Sequence, residues 1–468
     1  METIYDIVVI GSGPGGYTAA IRASQLGYKV AIVEKYNTLG GTCTNVGCIP
    51  SKAMLDSTEN YHNAETKFAG QGIEISGLKL NFKQLVNRKN DVVKQNVSGL
   101  QYLMKKNKIE VLTGVASFVD ANELQIDRQG ADAQKIRGKY YIVATGSKPA
   151  TIPGVVIDKK RIITSTEALS LEQKPTSMLI IGGGVIGVEM ASIFARIGVK
   201  VTIVEYADSL ISIMDRELGK ELGKILTKSG ITVLLGQKVQ SAQNNGDSVT
   251  LKYLDNQNVQ QELQAEYCLV AVGRKPYTEG LGLEKTKVQL DEKGRIKVNE
   301  KLQSAEPHIY AIGDVIEGAM LAHKAEEEGV MVAETINGQT PQIDYNLIPG
   351  VVYTWPEVAS VGYTEEQLIA MGKTYKKGKF PFSANGKARA AGDTDGFSKV
   401  LSGTKYGEVL GVHIIGARAA DLIAQAVIGM HHETTDREMF HMSYAHPTYS
   451  ETLKEAYLIA SGQGALNI

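Results

Sequence analysis

Two cysteines five positions apart are the residues of this sequence with the plainest chemical potential. Cys43 and Cys48 lie in the stretch GGTCTNVGCIPSK, which holds no other thiol and no imidazole. Such a pair could bind a metal, close a structural disulfide or exchange electrons with a substrate thiol. A structural zinc site usually needs four ligands with closely spaced pairs, so no metal site is expected here.

The spacing of the two cysteines also constrains the backbone between them. Residues five apart in a regular α-helix have Cα atoms on the order of 8–9 Å apart, whereas a disulfide needs about 4.4–6.8 Å. We therefore expect a departure from regular helix, which Gly47 makes easier. Pro50 suits the first turn of a following helix. That positive helix end, together with Lys52, would favour the thiolate form of Cys48.

Composition favours a redox pair over a structural disulfide. Three cysteines in 468 residues are too sparse for a secreted disulfide framework and indicate a reducing compartment, so a cytoplasmic protein is expected. A formal net charge of -1 gives no reason to expect nucleic acid or an anionic membrane as a partner. The chain starts without the features of an export signal, and its most apolar stretch is too short to span a bilayer.

A plan of strand, glycine turn, helix and strand occurs twice, with an offset of 171 residues (182 minus 11). Its glycine and acidic positions are Gly11, Gly13, Gly16 and Glu34 in the first copy and Gly182, Gly184, Gly187 and Glu205 in the second. In such a turn the first glycine permits the bend, the second lets the backbone approach a pyrophosphate, and the third lets helix and strand pack closely. The acidic residue can bind ribose hydroxyls. Two dinucleotide cofactors are expected.

Two related turns, ATGSKP at 144–149 and AVGRKP at 271–276, close the two halves, so the second half is predicted to be inserted in the first. The segment HIYAIGDV is predicted to be a strand that ends at Asp314, whose carboxylate could meet the polyol chain of a flavin. The expected class is α/β, with two Rossmann-like dinucleotide-binding domains and a C-terminal α+β domain. The predicted boundaries are 1–150, 151–277, 278–345 (returning to the first domain) and 346–468.

A dithiol beside two nucleotide sites suggests that electrons pass from a substrate dithiol through a flavin to a nicotinamide. Such a reaction needs a proton acceptor, because the attacking thiol must be deprotonated. His446, followed five residues later by Glu451, could be an oriented base. Three other histidines have the same claim from chemistry alone: His431, His432 and His441.

GGTCTNVGCIPSK, the doubled glycine turns, AIGDV and AHPTYSE together resemble the class I pyridine nucleotide-disulfide oxidoreductases, essentially from end to end. The resemblance implies that Cys43 exchanges with substrate sulfur, that Cys48 faces the flavin, and that His446 is the base oriented by Glu451. It also implies an ion pair between Lys52 and Glu189 near the flavin ring. The implied FAD contacts are Gly11, Gly13, Gly16, Glu34, Lys52, Gly114, Thr145, Gly146, Asp314 and Ala322, and the implied NAD contacts are Gly182, Gly184, Gly187, Glu189, Glu205 and Gly273.

The resemblance further implies a reaction and partners. The reaction is oxidation of protein-bound dihydrolipoamide to lipoamide, with reduction of NAD⁺ to NADH. The partners are a second copy of the chain, joined through the C-terminal domain, and the lipoyl domains and core subunits of 2-oxo-acid dehydrogenase complexes or the glycine cleavage system. A glutathione-reductase-like enzyme and a non-catalytic flavin-binding scaffold are the alternatives. Trp355 and Tyr444 stand where the family pattern has histidines.

Overall fold

The computed structural model describes residues 4–467, which divide into two compact units of three chain segments each. The first unit comprises the segments up to Ala53, Lys83–Ala150 and Gly273–Ile343, and the second comprises Met54–Phe82, Thr151–Val272 and the chain from Asp344 onward.

The strands are β1 (Ile4–Ile10), β2 (Val30–Glu34), β3 (Glu110–Thr113), β4 (Val115–Asp120), β5 (Glu123–Asp127), β6 (Gln134–Val143), β7 (Ser147–Pro149), β8 (Ile162–Ile163), β9 (Ser177–Ile181), β10 (Lys200–Val204), β11 (Thr232–Leu234), β12 (Lys238–Asn244), β13 (Val249–Leu254), β14 (Gln260–Ala265), β15 (Tyr267–Val270), β16 (Arg274–Pro276), β17 (Ile309–Ala311), β18 (Gly350–Val352), β19 (Glu357–Gly362), β20 (Tyr375–Pro381), β21 (Phe397–Gly403) and β22 (Val409–Gly416). The helices are α1 (Pro14–Gln25), α2 (Gly41–Val46), α3 (Cys48–Thr66), α4 (Phe82–Lys106), α5 (Ser165–Ala168), α6 (Val185–Ala195), α7 (Arg216–Lys228), α8 (Ala322–Ile336), α9 (Glu365–Ala370), α10 (Gly386–Ala391), α11 (Ala419–His431), α12 (Asp436–His441) and α13 (Glu451–Ala460).

The first unit is built around a seven-stranded sheet in the order β3-β2-β1-β6-β5-β4, with β17 also pairing with β6. Strands β1, β2, β3, β6 and β17 run parallel, and every residue of β2 is buried. Such continuous apolar runs are typical of parallel strands covered on both faces. Helices α1 and α8 approach closely, because a Cβ atom added to Gly329 would lie 2.6 Å from the backbone oxygen of Gly15.

The second unit contains a parallel five-stranded sheet in the order β11-β10-β9-β15-β8 and an antiparallel sheet of β12, β13 and β14. Its C-terminal part forms an antiparallel sheet in the order β18-β19-β22-β21-β20, whose core residues pack with those of α11 and α13. The β9–α6–β10 segment repeats β1–α1–β2, as the sequence repeat predicts. The expected α/β class with a C-terminal α+β part is confirmed.

The segment before Asp314 differs from its prediction. The strand ends at Ala311, and residues Gly313–Val315 form a single 3₁₀ turn. The physical reason is the backbone of Gly313, whose φ of +74° leaves the extended region. Asp314 therefore lies in a turn that follows the strand. Within residues 4–467 no helix is both long and apolar enough to cross a bilayer.

Candidate active site

The helical backbone is interrupted between the two cysteines, at Gly47. Helix α2 ends at Val46, Gly47 has the non-helical angles φ -130° and ψ -110°, and α3 begins at Cys48. A Cβ atom on Gly47 would lie 2.9 Å from the backbone oxygen of Thr42 and 3.5 Å from the Cα atom of Cys43. The absence of a side chain at Gly47 thus lets the start of α3 pack closely against α2. The predicted departure from regular helix is confirmed.

Both cysteine side chains are half-buried in the structure. The pKa of the Cys43 thiol is raised, first by its hydrogen bond to Cys48, then by burial and by negative charge on Cys48. Lys52 acts in the opposite direction. Cys43 and Cys48 therefore lie within hydrogen-bonding distance of each other.

In the first glycine turn, packing within the protein requires two of the three glycines but not the third. Gly11 has φ +101°, and its Cβ atom would lie 2.5 Å from the oxygen of Ala144, while a Cβ atom on Gly16 would lie 2.0 Å from the oxygen of Gly11. Apart from its chain neighbours and its own helix, no atom of the described residues lies within 4 Å of a Cβ atom placed on Gly13, which precedes the N-terminus of α1 without a capping side chain. This open side of Gly13 leaves room for a pyrophosphate to approach the N–H groups of the first turn of α1.

The second glycine turn repeats this geometry. Gly182 has φ +107°, and a Cβ atom placed on it would lie 2.4 Å from the oxygen of Ala271, while a Cβ atom on Gly187 would lie 2.0 Å from the oxygen of Gly182. Among the described residues, a Cβ atom on Gly184 would have no neighbour within 4 Å apart from its chain neighbours and its own helix. Two turns of the same build, each open at its middle glycine, fit two dinucleotides.

The acidic residue at the end of each second strand is held by hydrogen bonds that include one backbone N–H of its glycine turn. Glu34 is buried and accepts hydrogen bonds from Ser12 N (3.0 Å) and Ser12 Oγ (2.6 Å). Glu205 accepts hydrogen bonds from the N–H groups of Gly183 and Ala207, the latter at 2.6 Å. Both carboxylates are therefore oriented at the mouth of a glycine turn, where ribose hydroxyls would lie.

The two closing turns of the halves pair with each other in the first unit. Strands β7 and β16 form an antiparallel ladder, and Thr145 Oγ1 donates a hydrogen bond to the oxygen of Tyr277 at 2.6 Å. Gly146 and Gly273 have positive φ values of +72° and +114°. Ser147 Oγ donates a hydrogen bond to Asp314, so the structure brings the predicted FAD contacts Thr145, Gly146 and Asp314 together. Gly273, a predicted NAD contact, lies in this first unit as well.

The remaining predicted contacts have different surroundings. A Cβ atom on Gly114 would meet Ile126 Cγ2 at 2.5 Å, so packing within the protein already requires this glycine. Ala322 is the first residue of α8, and Lys52 lies in α3. Glu189 is buried in α6, where its Oε1 atom accepts a hydrogen bond from Tyr353 N at 3.0 Å.

His446 and Glu451 form an oriented pair in the second unit. The Nδ1 atom of His446 lies 2.8 Å from Glu451 Oε1, and Thr448 N donates to Glu451 Oε2 at 2.9 Å. Burial acts to raise the pKa of the Glu451 carboxyl, but the hydrogen bonds from Thr448 and His446 outweigh it and lower the pKa. The His446 side chain is 77 % exposed in the single chain.

The other candidate histidines are placed differently. The rings of His431 and His432 contact each other edge to face at 5.4 Å between centroids. His441 packs on the ring of Phe440 at 4.1 Å. Among these four histidines, only His446 has the carboxylate partner that a general base requires. Over residues 4–467, no three His, Cys, Asp or Glu side chains are grouped to hold a metal.

Sequence reasoning missed a hydrogen-bonded tyrosine–glutamate pair near the cysteines. Tyr17 donates a hydrogen bond to Glu326 Oε1 at 2.8 Å. Burial, this hydrogen bond and the charges of both cysteines raise the pKa of Tyr17. Tyr17 directly follows the third glycine of the first turn, and that adjacency was the signal available in the sequence.

Comparison with known proteins decides the family. Residues 5–329 match the description "Pyridine nucleotide-disulphide oxidoreductase", and residues 348–457 match the dimerisation domain of the same family. The chain belongs to the pyridine nucleotide-disulphide oxidoreductases. This membership confirms the expected enzyme class, and FAD and NAD are the cofactors that this family uses. The match to a dimerisation domain supports a homodimer.

Individual members of the family are similar over nearly the whole chain. The identity is 46% to a mitochondrial dihydrolipoyl dehydrogenase of Caenorhabditis elegans, covering 99% of this chain and 94% of that protein. It is 45% to dihydrolipoyl dehydrogenase 1, mitochondrial, of Arabidopsis thaliana, covering 96% and 89%. Among solved structures, the Cu(II) complex of the HOCl-induced flavoprotein disulfide reductase RclA from Escherichia coli has 27% identity and a TM-score of 0.88, covering 98% of this chain and 99% of that one.

These relatives correct one expectation. A cytoplasmic protein was expected, but the similar dihydrolipoyl dehydrogenases are named mitochondrial, which points to the mitochondrion instead. The physical reason for the error is that sparse cysteine use reports only a reducing environment. Composition alone does not distinguish one reducing compartment from another.

Proposed function

We propose that this chain oxidises protein-bound dihydrolipoamide to lipoamide and reduces NAD⁺ to NADH and H⁺. The observation that carries the proposal is the dithiol at the Gly47 break, in a chain that also has two glycine turns open at their middle residues. The choice of substrate is supported by relatives named dihydrolipoyl dehydrogenase, which match over 96% and 99% of the chain.

The cysteines exchange with the substrate through their oxidised form. One substrate thiol loses its proton, and its thiolate attacks the Sγ atom of Cys43, which breaks the Cys43–Cys48 disulfide and releases Cys48 as a thiolate. The second substrate thiol then attacks the mixed disulfide at the substrate sulfur. Lipoamide leaves, and the two cysteines hold the electron pair as a dithiol. Bound FAD would supply a two-electron acceptor for that pair, with NAD⁺ as the final acceptor.

His446 takes the proton from the substrate thiol in this proposal. Since Glu451 accepts the hydrogen bond at Nδ1, the neutral ring has its free electron pair at Nε2. A fixed acceptor of this kind speeds proton transfer, and the carboxylate stabilises the imidazolium that forms. We further propose that His446 serves the Cys43 of a second chain, as its exposure in the single chain allows.

The nucleotide assignments follow from the two turns. Gly11, Gly13, Gly16 and Glu34 would hold FAD together with Asp314 and the other predicted residues of the first unit, and Gly182, Gly184, Gly187 and Glu205 would hold NAD. A carboxylate at Glu205 favours the ribose hydroxyls of NAD over the 2′-phosphate of NADP. This preference is what separates the proposal from a glutathione-reductase-like activity.

Domain roles and partners are proposed on the same basis. Residues 1–150 and 278–345 would bind FAD, 151–277 would bind NAD, and 346–468 would form the dimer. The substrate arm would belong to lipoyl domains attached to the core subunits of 2-oxo-acid dehydrogenase complexes.

Steady-state turnover tests the proposal. The holoenzyme is assayed with dihydrolipoamide and either NAD⁺ or NADP⁺, and with glutathione disulfide and either NADH or NADPH. We expect rapid turnover with dihydrolipoamide and NAD⁺ only. Equal or faster turnover with glutathione disulfide and NADPH would indicate a glutathione-reductase-like enzyme, and absence of turnover with every pair would indicate a non-catalytic scaffold.

A further inference from the structure

Gly313, the residue before Asp314, has both of its backbone polar groups held by one buried ion pair. Glu328 Oε2 accepts the Gly313 N–H at 2.7 Å, and Lys324 Nζ donates to the Gly313 oxygen at 3.4 Å. Lys324 Nζ lies 2.8 Å from Glu328 Oε1, and the two side chains are 1% and 0% exposed. Two side chains of α8 therefore hold the backbone of the turn that contains Asp314 by hydrogen bonds.

The carboxylate of Asp314 is restrained from the opposite side. Ser147 Oγ donates a hydrogen bond to Asp314 Oδ2. Arg274 in turn donates from Nε to Ser147 Oγ and from Nη2 to the Ser147 backbone oxygen, both at 2.7 Å. Asp314 is thus fixed through its backbone neighbour by α8 and through its side chain by β7 and β16.

A buried ion pair of this kind is costly for the fold. Desolvating two charges can cost more than their attraction returns, so a well-packed apolar pair often gives equal or greater stability. Glycine at position 313 increases the conformational freedom of the backbone, because its observed φ of +74° is one of many values that glycine can adopt. The pair removes this freedom at the residue whose rotation would redirect the Asp314 carboxylate.

We propose that Glu328 is a positioning residue for FAD: its carboxylate, whose charge Lys324 neutralises, fixes Gly313 so that Asp314 presents its own carboxylate to the polyol chain of the flavin. The inference rests on the proposed contact between Asp314 and FAD. It is independent of the identity of the dithiol substrate.

Two double variants without the buried charges distinguish the positioning of Gly313 from a general effect of charge or packing on FAD binding. Lys324→Met with Glu328→Gln removes both charges but keeps an amide oxygen that can accept the Gly313 N–H. Lys324→Met with Glu328→Met removes the charges and the acceptor. Apoprotein of each is titrated with FAD, and binding is read from the change in flavin fluorescence.

We expect the Met/Gln variant to bind FAD within about threefold of the native protein and the Met/Met variant at least tenfold more weakly, about 1.4 kcal/mol. Equal affinity of the two double variants would overturn the inference. Arg22→Met with Glu334→Gln is the control, because that ion pair lies in the same unit and also includes a side chain of α8, and its recorded hydrogen bonds involve no residue of the Gly313 turn. The control should bind FAD as the native protein does.

Hydrogen exchange on native apoprotein tests the same inference without a variant that could fail to fold. Overlapping peptides isolate the Gly313 amide, which should be protected before FAD is added, because Glu328 already holds it. Exchange at the rate of an unprotected amide would overturn the inference.

Asp314→Ala, titrated in parallel, tests the contact on which the inference rests. Native FAD affinity in that variant would overturn both the contact and the inference. A failure of turnover with dihydrolipoamide would instead remove the proposed substrate and leave all these FAD measurements unchanged.

Discussion

The Nδ1 atom of His446 lies 2.8 Å from the Oε1 atom of Glu451, at the start of α13. The second carboxylate oxygen is occupied by the backbone N–H of Thr448 at 2.9 Å, so the carboxylate cannot rotate freely. The imidazole is therefore oriented through one nitrogen, which leaves Nε2 for a substrate proton.

The first prediction concerns this pair. His446→Gln should lower kcat for dihydrolipoamide oxidation by about 10²–10⁴-fold, the usual contribution of a general base. Glu451→Gln should lower it less, because the base remains but loses its orienting charge. Stopped-flow reduction of the bound flavin by NADH should be unchanged in both, because that step does not use the base.

Glu438→Gln is the matched control for Glu451→Gln. Glu438 also accepts a backbone N–H near a helix start, from Thr435 at 2.8 Å, but contacts no histidine through that carboxylate. Its kcat should equal that of the native enzyme. A similar loss in both variants would mean that Glu451 acts through stability alone.

The second prediction concerns the chain that His446 serves. Cys43→Ser chains and His446→Gln chains are unfolded and refolded together. If the site is shared across a two-fold axis, one site in each heterodimer has an intact Cys43 and an intact His446, and about a quarter of all sites recover under random pairing. Activity that stays at the level of the unmixed variants would contradict a shared site.

The third prediction concerns the nucleotide. The ratio of kcat/KM for NAD⁺ to that for NADP⁺ should exceed ten, about 1.4 kcal/mol, because Glu205 repels a 2′-phosphate. Glu205→Gly should narrow the ratio. Glu34→Gly, the equivalent change in the first turn, should leave the ratio unaltered while weakening FAD binding. Native enzyme that used both nucleotides equally would contradict the assignment of Glu205.

The fourth prediction concerns acid stability. Burial acts to raise the pKa of Glu217, but hydrogen bonds from Lys379 and Lys399 outweigh it and lower the pKa from 4.5 to about 2. A depressed pKa in the folded state contributes stability that is present above the ordinary value of 4.5 and lost as the pH falls through about 2. Glu217→Gln should therefore lower Tm by about 1–2 °C at pH 7, for about 1.5 kcal/mol of charge-assisted hydrogen bonding.

The gap in Tm between native and Glu217→Gln protein should shrink as the pH falls below about 4.5. Glu221→Gln on the same helix is the control, because its pair with Lys224 is exposed and should contribute little. A gap that stayed constant from pH 7 to pH 3 would show that the ionised Glu217 carboxylate does not account for the stability difference.

Local patterns in the sequence were sufficient for the glycine turns and the redox pair. The roles of Gly11 and Gly16 follow from spacing within one strand–turn–helix segment, and the break at Gly47 follows from the distance that a disulfide allows. These predictions needed only neighbouring residues and standard backbone geometry.

Contacts across long stretches of sequence could not be predicted in the same way. Tyr17 and Glu326 are 309 residues apart, and Ser147 and Asp314 are 167 apart, so only the sheet topology brings each pair together. Lys324 lies in the charged run AHKAEEEG, which is typical of a solvated helix face, yet its side chain is 1% exposed. Burial of such a charge depends on the partner helix and turn, which the local pattern does not contain.

Transfer of electrons from Cys48 to the flavin is the central claim, and anaerobic stopped-flow absorbance of the holoenzyme tests it most directly. Native enzyme mixed with dihydrolipoamide should develop a long-wavelength thiolate-to-flavin band within the turnover time. Cys43→Ser should show that band before any substrate is added, and Cys48→Ser should never show it. A band that persists in Cys48→Ser, or that is absent from the native enzyme, would contradict the account.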